Sequence, residues 1–185
     1  MKIKNILIHL GEVECGFVFW WRKIYKKEDI QQSVKKSINS YSIFIDNIAR
    51  ISSFNICLTG ASLPTITDYS VGDIQNKRKE VAHVPILEKT KLTLQYTKLL
   101  SDLARNKKIS FFDISNALID CRTGCVHKYF INPDPHDHHL DKIKVAPIWA
   151  LECNRFLSSN GQYFSQMPYS SKKYSLLTWI KRSVF

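Results

Sequence analysis

The sequence predicts an α/β domain in which a parallel β-sheet carries helices on both faces. Three observations predict it. Short apolar runs at Lys4 to Leu10, Phe54 to Leu58 and Ile109 to Ile114 have the length and aliphatic content of buried strands. Long segments between and after them repeat apolar residues every three or four positions, as amphipathic helices do. Strands that alternate with helices of this length require right-handed crossovers, and these lay the strands parallel.

The first strand has isoleucine at 3, 6 and 8 and stops at Gly11. Beyond it Glu12-Val13-Glu14-Cys15-Gly16 sets two carboxylates and a thiol in what reads as a loop. If that loop is extended, Glu12 and Glu14 share a side. Phe17, Phe19, Trp20 and Trp21 are expected to pack under the first helix or to line an acyl or sugar site. That helix runs from Lys26 to about Ser52 on Ile30, Val34, Ile38, Tyr41, Phe44, Ile45, Ile48 and Ile51. The second strand closes in Thr59-Gly60-Ala61-Ser62-Leu63-Pro64, and a polar stretch of about twenty-five residues follows, long enough to be functional.

Leu92, Tyr96, Leu99, Leu100 and Leu103 mark a helix from Lys89 to about Asn106, and Leu140 to about Leu157 marks another. Pro147 is expected to kink the latter or to set its start. Ligands of such sheets lie beyond the carboxyl ends of the strands. Loops 11–16, 59–70 and 113–139 are therefore expected to share one edge. Residues 1–157 form the predicted domain and 158–185 a basic tail, whose Tyr174 to Ile180 segment is expected to dock on the core.

Composition narrows the function classes. The chain has 185 residues and a net charge of +11, yet residues 1–60, 61–120 and 121–185 carry nine Lys or Arg each. Twenty of the twenty-seven are Lys, which solvates a surface without the fork geometry that reads bases. No nucleic-acid partner is expected. Apolar runs are interrupted well short of the ~20 residues of a membrane helix, and the N-terminus lacks a signal-peptide cleavage site. A cytoplasmic protein is expected, with its five cysteines reduced. Cys15 would be a nucleophile only beside an imidazole or a helix N-terminus; otherwise it is a small buried hydrophobe.

The densest chemistry lies in Asn132-Pro133-Asp134-Pro135-His136-Asp137-His138-His139-Leu140-Asp141, with three of the six histidines. The bland reading is a solvated helix start capped by Asp134 or Asp137. A carboxylate that orients an imidazole would instead make a general base. A third reading is a divalent-metal site for a hydrolase or nuclease, on His136, His138, His139 and Asp134, with Cys121, Cys125 and His127 as helpers. No H-E-x-x-H helix or paired Cys-x2-Cys knuckle supports that metal reading. Otherwise no cofactor is expected.

A strand ending in G-E-V-E-C, a second leading into G-A-S-L-P, and a late D-H-H-L before the last helix together resemble the SGNH, or GDSL-type, hydrolase superfamily, especially its polysaccharide-associated branch. The resemblance covers about Lys4 to Leu157. It implies a flavodoxin-like α/β/α three-layer sandwich and an esterase or acyltransferase acting on a small-molecule or glycan ester. By the same resemblance His139 is the general base, Asp137 its orienting partner and Gly11 the oxyanion donor, with His138 and Asp134 as alternatives. The loop at 59–65 has no asparagine for the second oxyanion donor, and Ser62 is the substitute. The family's Gly-Asp-Ser block, which precedes the strand that opens this chain, is absent from the sequence. The expectation is thus a domain lacking its first strand and nucleophile, inactive alone, or else a non-catalytic remnant that binds.

Overall fold

The computed structural model describes residues 4–51, 53–65, 79–134, 137–159 and 162–166. Its architecture is α/β. Strands β1 (Asn5–Ile8), β2 (Asn55–Thr59), β3 (Ser110–Asp113) and β4 (Phe164–Gln166) form one sheet in the order β1-β2-β3-β4, and every neighbouring pair is parallel. The first three coincide with the apolar runs that announce them, β2 reaching one residue further, to Thr59. The fourth lies beyond residue 157, in the segment read as a tail, and is too short for a periodic signal.

Alternation along the central strands sends side chains to two separate cores. Ile56, Leu58 and Phe111 join a cluster with Phe19, Val34, Ile45, Tyr96 and Leu100, from α1 (Phe19–Tyr25), α2 (Ile30–Ile51) and α4 (Ile86–Lys107). Cys57 and Phe112 join the other, with Leu118, Phe130, Val145, Ile148 and Phe156. These come from α5 (Ser115–Leu118), a 3-10 turn at Lys128–Phe130, and α6 (Lys142–Ser158). A further short helix, α3, spans Lys79–Ala82.

Local chemistry explains the helix ends. Asp29 accepts the Gln32 N–H at 2.8 Å and starts α2. The chain leaves α4 through Lys108 in the left-handed conformation, its N–H closing back on Ala104 and Arg105. Asp141, not Asp134 or Asp137, caps α6 by accepting from Ile143 and Lys144. Pro147 lies inside that helix, neither at its start nor at its end.

The loop expected at 11–16 is a correction. The Gly11 carbonyl accepts the Cys15 N–H at 3.0 Å, and the chain is helical from residue 12, through a π-helical turn at Glu14–Val18, into α1. Phe19 and Trp20 are therefore themselves helical, and they share a core with Val34, Tyr41 and Ile45 of α2. On a helix, residues two apart diverge, so Glu12 and Glu14 face different surroundings.

β4 is tied down by a polar network around one buried carboxylate. Phe111 N–H donates to the Tyr163 carbonyl at 2.8 Å, and the Tyr163 hydroxyl donates to Glu152 Oε2 at 2.7 Å. Glu152 is fully buried and also accepts from Arg155 at 2.8 Å. Tyr163→Phe leaves one buried carboxylate oxygen short of a donor. It is expected to lower the unfolding free energy by about 1–2 kcal/mol, read from urea titrations.

Candidate functional site

The ends of β1, β2 and β3 bring their following segments to one edge of the sheet. β1 runs into His9, Leu10 and Gly11; β2 into Gly60, Ala61 and Ser62; and β3 ends at Asp113. Direct bonds join these segments to the histidine-rich stretch. The Thr65 hydroxyl donates to the His138 carbonyl, and His139 Nδ1 meets Glu12 Oε1 at 2.8 Å. Residues 66–70 of the expected edge, and His136, lie outside the described residues.

Two glycines make this edge buildable. Gly11 is buried with φ +104°, a backbone conformation that disfavours any side chain. A Cβ there would lie 2.8 Å from Tyr96 Cε1 and 3.0 Å from the Ala61 Cβ, so the segment after β1 packs on α4 and on the segment after β2 through the missing side chain. Gly60 packs in the same way against the Asp113 carboxylate and Thr97. Asp113 is largely buried, and burial pushes its carboxyl up. Two bonds from Ser115, its N–H at 3.0 Å and its hydroxyl at 2.7 Å, pull the other way.

His139 is about half exposed, its side chain at 58%, and Glu12 occupies its Nδ1. Nε2 is then the nitrogen left for proton transfer. The carboxylate on the ring is Glu12 rather than Asp137. Asp137 accepts instead from the backbone N–H of His139 at 2.9 Å and from Asn132 Nδ2 at 2.7 Å, so it shapes the loop that presents His139. The His138 ring lies 4.2 Å from that of His139, and Asp134 offers its carbonyl to the Asp137 N–H. Among the described residues no three His, Cys, Asp or Glu side chains gather as a metal site requires.

Sequence reasoning passed over His9. It reads there as one polar residue at the end of an apolar strand. In the structure its Nδ1 lies 2.6 Å from Thr59 Oγ1 and its Nε2 2.9 Å from Ser62 Oγ, with the Trp149 ring edge-on at 4.8 Å. Burial pushes the His9 imidazole below its ordinary range, opposed by Glu12 and by a hydrogen bond with the Gly60 backbone. Cys15 is fully buried and burial pushes its thiol up, which makes it core rather than nucleophile.

Among the described residues no helix is long and apolar enough to cross a membrane. Compared with known proteins, the chain matches no family model, no curated protein and no solved structure.

Proposed function

We propose that this chain carries out acyl-ester chemistry, as an SGNH-like esterase or acyltransferase with an α/β/α three-layer, flavodoxin-like sandwich, on small-molecule or glycan esters. The observation that carries the reading is the His139–Glu12 pair at 2.8 Å, set at the sheet edge beside Gly11. A carboxylate on Nδ1 fixes the tautomer and stabilises the imidazolium that forms when Nε2 takes a proton. The proton comes from the oxygen that attacks the ester carbonyl, water included. The Gly11 N–H is the donor proposed for the developing oxyanion. On the resemblance alone the serine nucleophile lies in a Gly-Asp-Ser block that these 185 residues do not contain.

The test is hydrolysis of 4-methylumbelliferyl acetate and of an acetylated xylo-oligosaccharide by the purified chain. His139→Ala is expected to lower kcat/KM by about 10²-fold or more. Glu12→Gln is expected to cost more than Asp137→Asn, because only Glu12 touches the ring. Turnover that is equal in the parent chain and in His139→Ala rules this reading out.

A further inference from the structure

We propose that Ser62 and His9 form a nucleophile–base pair within this chain, with Thr59 as the residue that positions the imidazole. The inference rests on the acyl-ester reading, supplies the nucleophile that reading lacks, and moves the role of base toward that nucleophile from His139 to His9.

The hydrogen-bond network assigns the protons. Thr59 Oγ1 lies 3.1 Å from the Gly60 carbonyl and 3.5 Å from the Ile8 carbonyl, and both are acceptors only. We assign the Thr59 hydroxyl proton to these carbonyls, so that its oxygen accepts from His9 Nδ1, which carries the ring proton. That leaves Nε2 bare, and a bare Nε2 at 2.9 Å from Ser62 Oγ accepts the serine hydroxyl proton. This is the direction of proton flow that a serine nucleophile needs. Burial, which disfavours the imidazolium, keeps the ring neutral at pH 7 and able to act as a base.

The pair is also held in place and within reach. Thr59 is the last residue of β2, and His9 immediately follows β1, so both stand on sheet rather than on free loop. The Trp149 ring packs edge-on to the His9 imidazole and is itself set against Phe112 of β3. Ala61 N–H is fixed by Thr97 Oγ1 at 3.1 Å, which anchors the residue before Ser62. Gly11 abuts the same Ala61, so the proposed oxyanion donor and Ser62 belong to touching segments. Ser62 itself is only partly buried, as a group that meets substrate must be.

The chemistry balances without a co-reactant beyond ester and water. Ser62 Oγ bonds to the acyl carbon while its proton passes to His9 Nε2. The ester C–O bond then breaks, and the departing alcohol takes that proton. Water or an acceptor hydroxyl attacks the acyl-serine, and its proton passes through imidazole to the leaving Ser62 Oγ.

The experiment is labelling of the full chain with a fluorophosphonate probe, followed by intact mass and peptide mapping. One adduct per chain on Ser62, with fluoride released, is expected. Ser62→Ala is expected to abolish the adduct, and His9→Gln to slow it by about 10²-fold or more. Thr59→Val removes the acceptor on Nδ1, while Thr59→Ser keeps it. Labelling should slow about tenfold in the first and return in the second, a rescue that a purely structural threonine would not give. The neutral ring is the reactive form. Among the groups that face it, Thr59, Ser62, the Gly60 carbonyl, Trp149 and Glu12, only Glu12 is charged. Labelling should therefore rise with pH through a midpoint below that of free imidazole and be level by pH 7.

No adduct on the parent chain, or one that maps elsewhere, overturns the proposal without needing any variant to fold. The two readings fail separately. Ester turnover that depends on His139 but survives Ser62→Ala removes the nucleophile and leaves the acyl-ester function. Labelling of Ser62 with no turnover of any ester supports the pair and removes that function.

Discussion

Gly11→Ala is expected to lower the unfolding free energy by about 4 kcal/mol, among the largest effects of any single methyl group in this chain. Two independent penalties meet at that residue. A φ of +104° is outside what L-residues adopt without strain, a cost of about 1–3 kcal/mol. The new methyl would also sit 2.8 Å from Tyr96 Cε1 and 3.0 Å from the Ala61 Cβ. Tyr96 is fully buried, its hydroxyl engaged with Ser37 at 2.7 Å, and its ring is wedged against Phe19 and Tyr41. It has nowhere to move, so overpacking adds a further cost of about 1–3 kcal/mol. Urea unfolding followed by circular dichroism measures the sum. A loss under about 1 kcal/mol would mean that Gly11 is not packed tightly against Tyr96 and Ala61.

The same glycine shows why part of the site was legible in the sequence. A glycine that closes an apolar run is expected to end the strand, and the structure ends β1 just before Gly11 and packs that glycine against Tyr96 and Ala61. The residues after it depart from the expected loop. Two carboxylates, a thiol and a second glycine look like a loop, yet Gly16 sits in open space and interrupts nothing, so the helix runs through it. The partner of His139 has a separate origin: the resemblance implies Asp137, and nothing in the sequence links Glu12 to the histidine-rich stretch. With residue 12 opening a helix, Glu12 crosses 127 positions to the imidazole while Asp137 turns back to the main chain.

The long helices were legible because their apolar residues recur at helical spacing. α4 buries Leu92, Tyr96, Leu100 and Leu103 at intervals of four, four and three. β4 was not legible, since three residues cannot show a period and its anchor, Tyr163 on Glu152, is a polar side-chain pair that no apolar pattern announces. His9 was hidden for a related reason. Its meaning lies in Thr59 and Ser62, fifty and fifty-three residues away, and only the parallel register of β1 on β2 brings them together.

Gly60→Ala should be the second severe change, with a cost of about 3 kcal/mol. A Cβ at Gly60 would enter the Asp113 carboxylate, 2.9 Å from its Cγ, and lie 2.9 Å from Thr97 Cγ2. Asp113 cannot easily swing away, because Oδ1 accepts both the N–H and the hydroxyl of Ser115 at the start of α5. The source of the cost can be isolated by a double-mutant cycle with Asp113→Ala, which clears the space but strands the Ser115 donors. If the carboxylate is the obstacle, the two changes together should cost less than their sum by about 1–2 kcal/mol. An additive result would place the obstacle at Thr97 alone. The cycle has a pH signature as well. Burial raises the Asp113 pKa in the folded chain, so between the ordinary carboxylate range and that raised value the native state binds more protons than the unfolded one. Its contribution to stability is complete below the ordinary range and is lost as pH rises through the folded pKa. Asp113→Ala should therefore flatten the fall in stability across this window, and Gly60→Ala, which presses on the same carboxylate, should alter the slope only while Asp113 is present.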